Sequence, residues 1–414
     1  MKGWKKSELG DIAAINYGYT AKASFEEVGP KFLRITDIQN DSVDWASVPH
    51  CPIDEDDFKK HKLYDQDIVF ARTGATTGKS YLVCDPPESV AASYLIRLRV
   101  QDLGVSARFV SKYFQTCEYW NSVTSGISGS AQGGFNASKL SAMVVPIPPI
   151  AEQKRIVAIL DEAFEGIDGA IANTEKNLAN ARELFESYLN QKLLSVASSA
   201  PTQTLFCITE LIVDCEHKTA PTQETGFPSI RTPNIGKGYL NFDNVNRVSE
   251  ETYELWTRRA KPKAGDLILA REAPAGNVGV IPDGQTVCLG QRTVLIRPKG
   301  EMVDSQYLAF LLLHRIMQAR LLEHSTGATV QHVNMKDIRK LPISDLPPLS
   351  DQIACVQELE EARIQIARLE TIYQQKLAAL NELKQSILQK AFSGELTTDT
   401  AAQASNIVQE VAAA

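Results

Sequence analysis

The chain has 414 residues, of which 43% are apolar, and a formal net charge of −7. This length predicts two or three domains with substantial cores, and the acidic balance argues against a protein that coats nucleic acid by bulk attraction. The longest apolar run, LAFLLL at residues 308–313, is too short for a membrane span, and the basic start lacks the apolar segment of a signal peptide. Seven scattered cysteines without a CxxC pair suit a reducing compartment, so we expect a cytoplasmic protein without a metal site.

The stretch FARTGATTGKSYLV, residues 70–83, has the general look of a phosphate-binding loop. Such a loop needs four residues between its first glycine and the Gly-Lys-Ser, whereas Gly74 stands one residue too close to Gly78. The loop must also lead into a helix, but YLVCDPP follows, a β-rich run closed by two prolines. The stretch therefore predicts a strand, a turn and a second strand.

The chain repeats itself with a period of 199 residues. DIVFARTGA, starting at Asp67, recurs as DLILAREAP at Asp266, and PPIAEQ recurs as PPLSDQ at the same offset. Weaker matches, such as FNASKL with VNMKDI, lie within two residues of this period. The repeat predicts an α+β tandem duplication, in which a β-rich globular part is followed each time by a long helix. The loop after the repeated strand keeps its arginine but loses Lys-Ser, as expected if each half reads a different target.

Two segments carry heptad patterns. Apolar residues recur every seven positions in residues 151–195 and again in the last segment, without an internal proline. The pattern predicts two long helices that pair as an antiparallel coiled coil, while helices buried in one ordinary core are the alternative. Both helical segments are acidic, whereas the globular parts are close to neutral. The predicted seam consists of Leu160, Phe164, Ile167, Ile171, Leu178, Phe185, Leu359, Ile366, Leu369, Tyr373, Leu380, Leu383 and Ile387.

These features together resemble the DNA-specificity subunit of a type I restriction-modification system, over nearly the whole chain. The resemblance is carried by the two globular parts, by the helix starts PPIAEQKRIVAILDE and PPLSDQIACVQELEE, and by the terminal LQKAFSGEL. It implies a target recognition domain at 1–145, a central conserved helix at 146–200, a second recognition domain at 201–345, a C-terminal conserved helix at 346–396 and a flexible tail at 397–414. Each recognition domain is then expected to read one half of a bipartite DNA site.

The resemblance also implies partners and cofactors. The paired helices are expected to set the spacer and to dock two methyltransferase subunits, and motor-nuclease subunits then complete the restriction complex. S-adenosylmethionine, ATP and Mg are expected in those partner subunits and not in this chain. Independently, the sequence shows no glycine-rich cofactor loop and no triad of catalytic spacing, so we expect a non-enzyme. A coiled-coil scaffold displaying two non-DNA ligand-binding modules is the alternative.

Candidate DNA-contacting residues are polar loop residues, because arginine pairs with guanine, asparagine or glutamine with adenine, and lysine, serine or threonine with phosphate. In the first half they are Arg72, Thr73, Thr76, Thr77, Lys79, Ser80, Ser128, Ser130, Gln132 and Asn136. In the second half they are Arg271, Glu272, Asn277, Gln291, Arg292, Thr329, Gln331, His332 and Asn334. For the two asparagines at 136 and 334, helix N-capping is the alternative role.

Overall fold

The computed structural model describes residues 3–39, 41–127, 135–272, 274–323 and 332–396. The chain divides into two compact units, one made of Met1–Glu175 with Gln375–Ala414 and the other of Lys176–Gln374. This division falls within both long helices, whereas the domain bounds expected from sequence treat each helix as a separate segment. Those bounds stay a prediction, and the expected flexible tail at 397–414 lies outside the described residues. Among the helices that the structure describes, none is both long and apolar enough to cross a membrane.

The first half of the chain contains strands and short helices followed by one long helix. The strands are β1 (Lys5–Glu8), β2 (Ala13–Tyr17), β3 (Lys31–Leu33), β4 (Ile38–Gln39), β5 (Ser42–Val43), β6 (Ile68–Ala71), β7 (Ser80–Leu82), β8 (Ser89–Ala91), β9 (Leu95–Val100) and β10 (Val144–Ile147). The helices are α1 (Leu9–Ile12), α2 (Glu55–His61), α3 (Ala107–Tyr113), α4 (Cys117–Ile127), α5 (Ala137–Ser141) and α6 (Ile150–Lys192).

The second half has a similar succession of elements. The strands are β11 (Pro201–Thr204), β12 (Thr209–Asp214), β13 (Phe227–Ile230), β14 (Lys237–Gly238), β15 (Arg247–Val248), β16 (Leu267–Ala270), β17 (Val278–Val280), β18 (Cys288–Leu289), β19 (Thr293–Pro298) and β20 (Pro342–Ser344). The helices are α7 (Leu194–Ser198), α8 (Glu250–Trp256), α9 (Ser305–Leu313), α10 (Arg315–Leu322), α11 (Met335–Lys340) and α12 (Leu349–Ser393).

The main sheets of the two units share four strands in the same order, and the second sheet adds β14 at its edge. In the first unit the strand order is β2-β9-β6-β7, and in the second it is β12-β19-β16-β17-β14. The repeated strands β6 and β16 are buried along their whole length. Alternate side chains of β6 enter two different hydrophobic clusters, as do those of β16, so both faces of each strand are covered. This double burial explains why the sequences of the two strands are continuous apolar runs. The equivalent sheets of the two units confirm the predicted α+β tandem duplication.

The aspartate that precedes each repeated strand is buried and closes a turn. A side-chain oxygen of Asp67 accepts the N–H of Tyr64 at 2.9 Å, and the carboxylate pairs with Arg99 at 2.7 Å. Asp266 makes the equivalent turn and pairs with Arg297 at 2.7 Å. These hydrogen bonds raise the pKa of each arginine above its usual value. The two aspartates therefore close equivalent turns, and each holds one arginine of a neighbouring strand.

A buried glutamine fixes the start of each long helix. The side-chain oxygen of Gln153 accepts the N–H of Ser106 at 2.8 Å, and its amide donates to the carbonyls of Gly104 and Pro148. Gln352 at the start of α12 has the same three kinds of partner, in Asp304, Met302 and Pro347. The repeated PPxxxQ pattern is thus an anchor that ties the first turn of each helix to its globular part.

Helix–helix contacts are visible within each unit. In the second unit Lys192 pairs with Glu358, and Arg182 pairs with Glu370, so residue numbers rise along α6 as they fall along α12. These two pairs show that the helix segments within this unit are antiparallel. In the first unit Lys384 of α12 pairs with Asp168 of α6 at 2.8 Å.

The predicted seam residues differ in burial. Buried members are Leu160, Phe164, Ile167, Phe185, Leu359, Ile366, Leu380 and Ile387, and partly buried members are Ile171, Leu178, Tyr373 and Leu383. Leu369 is 39% exposed, and its place in the seam stays a prediction. The line of α12 that contains Leu359, Ile366, Leu380 and Ile387 is more buried than the line that contains Leu369 and Leu383. Coiled-coil pairing along the full helices stays a prediction.

Candidate nucleic-acid interface

The predicted strand–turn–strand at residues 70–83 is confirmed. The hairpin β6–β7 closes through hydrogen bonds from Ala71 to Lys79 and from Gly78 to Ala71. Gly78 has a φ of +94°, and a Cβ there would lie 2.8 Å from Trp120. Its carbonyl also accepts the hydroxyl of Tyr119 at 2.5 Å. The glycine is therefore required by backbone conformation and close packing, which accounts for it without a phosphate.

The polar residues of this hairpin loop have different surroundings. Thr77 is buried, and its hydroxyl donates to the carbonyl of Gly74 at 2.7 Å, so it stabilises the turn. Thr73 and Lys79 are exposed. A cleft of about 680 Å³ in the first unit is lined in part by Thr76, Lys79, Ser80, Gln115, Trp120 and Lys384. Lys384 is paired with Asp168, so the exposed Lys79 and the half-exposed indole of Trp120 are the groups of this cleft that suit an anionic or stacking ligand.

Arg72 follows strand β6 directly and stacks on an aromatic ring. Its guanidinium carbon lies 4.8 Å from the ring centroid of Tyr17 at the end of β2. The backbone N–H of Arg72 donates to Tyr94, and its carbonyl accepts the N–H of Phe135. The Tyr17 hydroxyl accepts the N–H of Ala137 at 3.2 Å, which fixes the ring. Within the described residues the Arg72 side chain donates no hydrogen bond.

The two candidate asparagines stand at helix N-termini. Asn136 caps α5 by accepting the N–H of Lys139 at 2.9 Å, which is the alternative role that the sequence suggested. Asn334 occupies the same position before α11 but makes no side-chain cap, and its amide lies 3.4 Å from Asp337. Asn334 is therefore less constrained than Asn136.

Arg271, the repeat partner of Arg72, is only 7% exposed. Its Nη1 donates to Asp214 at 2.7 Å, its Nε to the carbonyl of Val333 at 2.9 Å, and its Nη2 to Nε2 of His332 at 2.8 Å. Every guanidinium nitrogen is therefore engaged with the protein. Arg271 joins strand β12 to the segment that leads into α11.

A chain of charged side chains continues outward from Arg271. Because the guanidinium can only donate, Nε2 of His332 accepts, and the ring proton resides on Nδ1. That Nδ1 donates to Glu272 at 2.6 Å. The other oxygen of Glu272 pairs with Nε of Arg292 at 2.9 Å. Arg292 is more than half exposed, with side-chain exposure of 57%, and it ends the chain at the surface.

Two further candidate residues of the second unit already donate hydrogen bonds within the protein. The amide of Asn277 donates to the carbonyl of Ile235 at 3.0 Å, and that of Gln291 to the carbonyl of His217 at 3.3 Å. The remaining candidates, Ser128, Ser130, Gln132, Thr329 and Gln331, lie outside the described residues. All sequence-based assignments of DNA contact stay predictions.

Sequence analysis missed the two residues that support the repeated arginines, Tyr17 and Asp214. Their only signal is a common position at the end of equivalent strands, which strand register reveals. Asp214 also lies near Cys215 and His217, whose potential ligand atoms are all within 4.8 Å of one another. The Arg271 guanidinium beside Asp214 makes this group unfavourable for a metal cation.

Comparison with known proteins supports the resemblance. The family model of the type I restriction modification DNA specificity domain matches residues 1–179 and 213–381. The EcoBI specificity subunit of the Escherichia coli type I restriction enzyme is 21% identical, covering 98% of this chain and 89% of that protein. The putative MjaX specificity subunit of Methanocaldococcus jannaschii is 23% identical, covering 96% of this chain and 94% of that protein.

A solved structure shares the fold. A chain from a study of complex assembly and conformational transition of the type I R-M system aligns with a TM-score of 0.70 at 18% identity. The alignment covers 96% of this chain and 99% of that chain. The family's role is DNA sequence specificity and not catalysis, so the expectation of a non-enzyme is confirmed by membership. The matched family model spans both units, and the chain belongs to the type I restriction-modification DNA specificity family.

Proposed function

We propose that this chain is the sequence-specific DNA-binding subunit of a type I restriction-modification complex, in which each recognition domain reads one half of a bipartite site. The observation that carries the proposal is a common frame with different loop chemistry. Strands β6 and β16 each deliver an arginine to the same position, but Tyr17 supports the first and Asp214 the second. Equivalent scaffolds with different polar tips suit two different half-sites.

The charge distribution supports specific contacts over bulk attraction. Residues 1–145 carry 16 basic and 17 acidic side chains, and residues 201–345 carry 17 and 16. Near-neutral domains gain little affinity from counterion release. We therefore propose that partner subunits contribute much of the binding affinity for the DNA duplex. A scaffold for non-DNA ligands, the alternative, finds no support in a family defined by DNA specificity.

We propose that methyltransferase subunits dock on the long helices. Within the second unit α12 exposes four large apolar side chains, Ile353, Ile364, Leu369 and Ile372. Such side chains on a helix otherwise rich in charge are suited to a partner interface. Restriction subunits then join the complex, and S-adenosylmethionine, ATP and Mg belong to these partners.

Domain exchange tests the reading of half-sites. Replacing residues 1–145 with the same part of a related subunit should change one half of the methylated motif and leave the other half intact. The chimera and the parent chain are each co-expressed with the methyltransferase subunit, and the host methylome is sequenced. A change in both halves, or in neither, would show that the domains do not read independently.

We further propose that helix length sets the spacer between half-sites. One heptad inserted in α6 between Ala181 and Phe185, and one in α12 between Leu369 and Tyr373, would lengthen each helix by about 10 Å while keeping the heptad register. The insertions lie at one level of the helix pair, beside the Arg182–Glu370 ion pair. The spacer should grow by about three base pairs at about 3.4 Å each.

Single insertions are the controls for this experiment, because an unmatched heptad shifts the contacts of one helix against the other. They should impair assembly, whereas the double insertion restores it. An unchanged spacer in a double-insertion protein that still methylates DNA would rule out the helices as the ruler.

A further inference from the structure

We propose that the base-reading arginine occupies different positions in the two halves, Arg72 in the first and Arg292 in the second, while Arg271 only positions its neighbours. The inference rests on the proposed function, since it assigns the residues that read each half-site. From the sequence alone, all three arginines are candidate DNA-contacting residues.

Strand register shows that the relevant positions are equivalent. Tyr17 on β2 pairs with Ile96, and Asp214 on β12 pairs with Val294. Ile96 in turn pairs with Phe70, two residues before Arg72, and Val294 pairs with Leu269, two residues before Arg271. The backbone N–H of Arg72 donates to Tyr94, as that of Arg271 donates to Arg292. Each half therefore has three matched positions: the end of the first strand, the arginine, and the loop residue that accepts its N–H.

In the first half the arginine itself is available. Stacking on Tyr17 holds the guanidinium plane without using any of its N–H groups. Within the described part of the chain its side chain has no hydrogen-bond acceptor, so the planar fork can still address a base. The loop position holds Tyr94, which is 65% exposed and has no charge to read guanine. In the first half, therefore, Arg72 is the cation that the protein holds in place for a base.

In the second half the equivalent arginine, Arg271, uses its hydrogen-bond donors within the protein. Asp214, Val333 and His332 accept from all three nitrogens of Arg271, and the side chain is almost fully buried. Freeing it for a base would leave Asp214 without its cation, at a cost that a base contact does not recover. Arg271 is therefore a positioning residue.

The loop position of the second half carries an exposed cation, Arg292. Arg292 has a φ of +65°, a left-handed conformation that is uncommon for a residue of this type and costly to maintain. Glu272 engages its Nε, and among the described residues no acceptor is found for its terminal nitrogens. Glu272 is itself held by His332, which Arg271 orients. This network, which begins at the buried Arg271, thus holds the exposed guanidinium of Arg292 at the surface.

A guanidinium fork held in this way matches the two acceptors of guanine, O6 and N7, in the major groove. We therefore expect at least one G·C pair in each half-site, contacted by Arg72 in one and Arg292 in the other. Lysine can supply the charge but not the bidentate geometry. Replacing the reading arginine with lysine should therefore lower discrimination at one base pair by about 10-fold or more.

The test uses the full chain assembled with its methyltransferase subunit. Arg72→Lys, Arg271→Lys and Arg292→Lys are compared by methylome sequencing and by competition binding with duplexes that carry each single base change of the motif. Competition binding scores variants whose methylation is too weak to sequence. Arg258→Lys is the matched control, because Arg258 is similarly exposed and pairs with Glu216 in the same unit.

Arg292→Lys should relax one G·C position of the second half-site, and Arg72→Lys one position of the first. Arg271→Lys should lower the melting temperature and, because it loosens the network that holds Arg292, relax the same position to a smaller extent than Arg292→Lys does. Arg258→Lys should match the parent. Relaxed specificity in Arg271→Lys with an unchanged motif in Arg292→Lys would overturn the assignment, as would an unchanged motif in every variant. A parent complex without any bipartite motif would instead refute the proposed function.

Discussion

Replacing Gln153 tests the anchor that ties α6 to the first globular part. The side chain is fully buried, and its amide makes three hydrogen bonds, to the N–H of Ser106 and to the carbonyls of Gly104 and Pro148. Gln153→Leu keeps the approximate volume but leaves these three backbone groups unsatisfied. At about 1 kcal/mol for each bond, the free energy of unfolding should fall by about 3 kcal/mol. For a unit of this size the melting temperature should fall by about 6–12 °C.

Gln153→Glu separates hydrogen bonding from volume. The introduced carboxylate can still accept from Ser106, but its second oxygen faces two carbonyl oxygens where an amide donated before. At pH 7 this variant should be less stable than Gln153→Leu. Burial and the facing carbonyls should raise the pKa of the introduced carboxyl in the folded state, so the loss of stability relative to the parent should shrink as the pH falls.

Differential scanning calorimetry of the full chain measures both effects. Gln352→Leu is the twin variant in the second unit and should have a similar cost, because Gln352 has the same three kinds of partner. Gln357→Leu on the exposed side of α12 is the control and should change stability by less than about 0.5 kcal/mol. Equal stability of Gln153→Leu and the parent, or a Gln153→Glu protein more stable than Gln153→Leu at pH 7, would refute the reasoning.

Gly78→Ala places a methyl group 2.8 Å from an indole ring of α4 at a φ of +94°, and should cost about 1–3 kcal/mol by urea denaturation; an unchanged midpoint would contradict this. Hydrogen bonding to Thr204 lowers the pKa of Cys207, whereas burial raises that of Cys288 to about 12. A thiol reagent at neutral pH should therefore modify Cys207 in the folded protein and Cys288 only after unfolding, which peptide mass spectrometry can check. Lys79→Ala should weaken DNA binding without affecting ATP binding by the complex, and calorimetric titrations showing the reverse would restore the phosphate-loop interpretation.

Local pattern was sufficient for the frame of the protein. The repeat follows from comparing the two halves of the sequence, and the buried strands β6 and β16 and the two long helices follow from apolar runs and heptad spacing within short windows. The PPxxxQ pattern marked both helix starts, although its role became visible only with the partners of Gln153 and Gln352. The seam stays a prediction, because heptad spacing alone does not tell which of two neighbouring lines of side chains faces the other helix.

The roles of the loop arginines depended on tertiary structure. Arg72 and Arg271 occupy one position of the repeat and look equivalent in sequence. Their hydrogen bonding differs because Arg271 has acceptors that are distant in sequence. Asp214 lies 57 residues before Arg271, and His332 lies 61 residues after it. Short-range pattern determines which strand forms and which face is buried. Whether a cation is left free for DNA depends on which side chains the neighbouring strands bring within hydrogen-bonding distance, and only the assembled sheet fixes that.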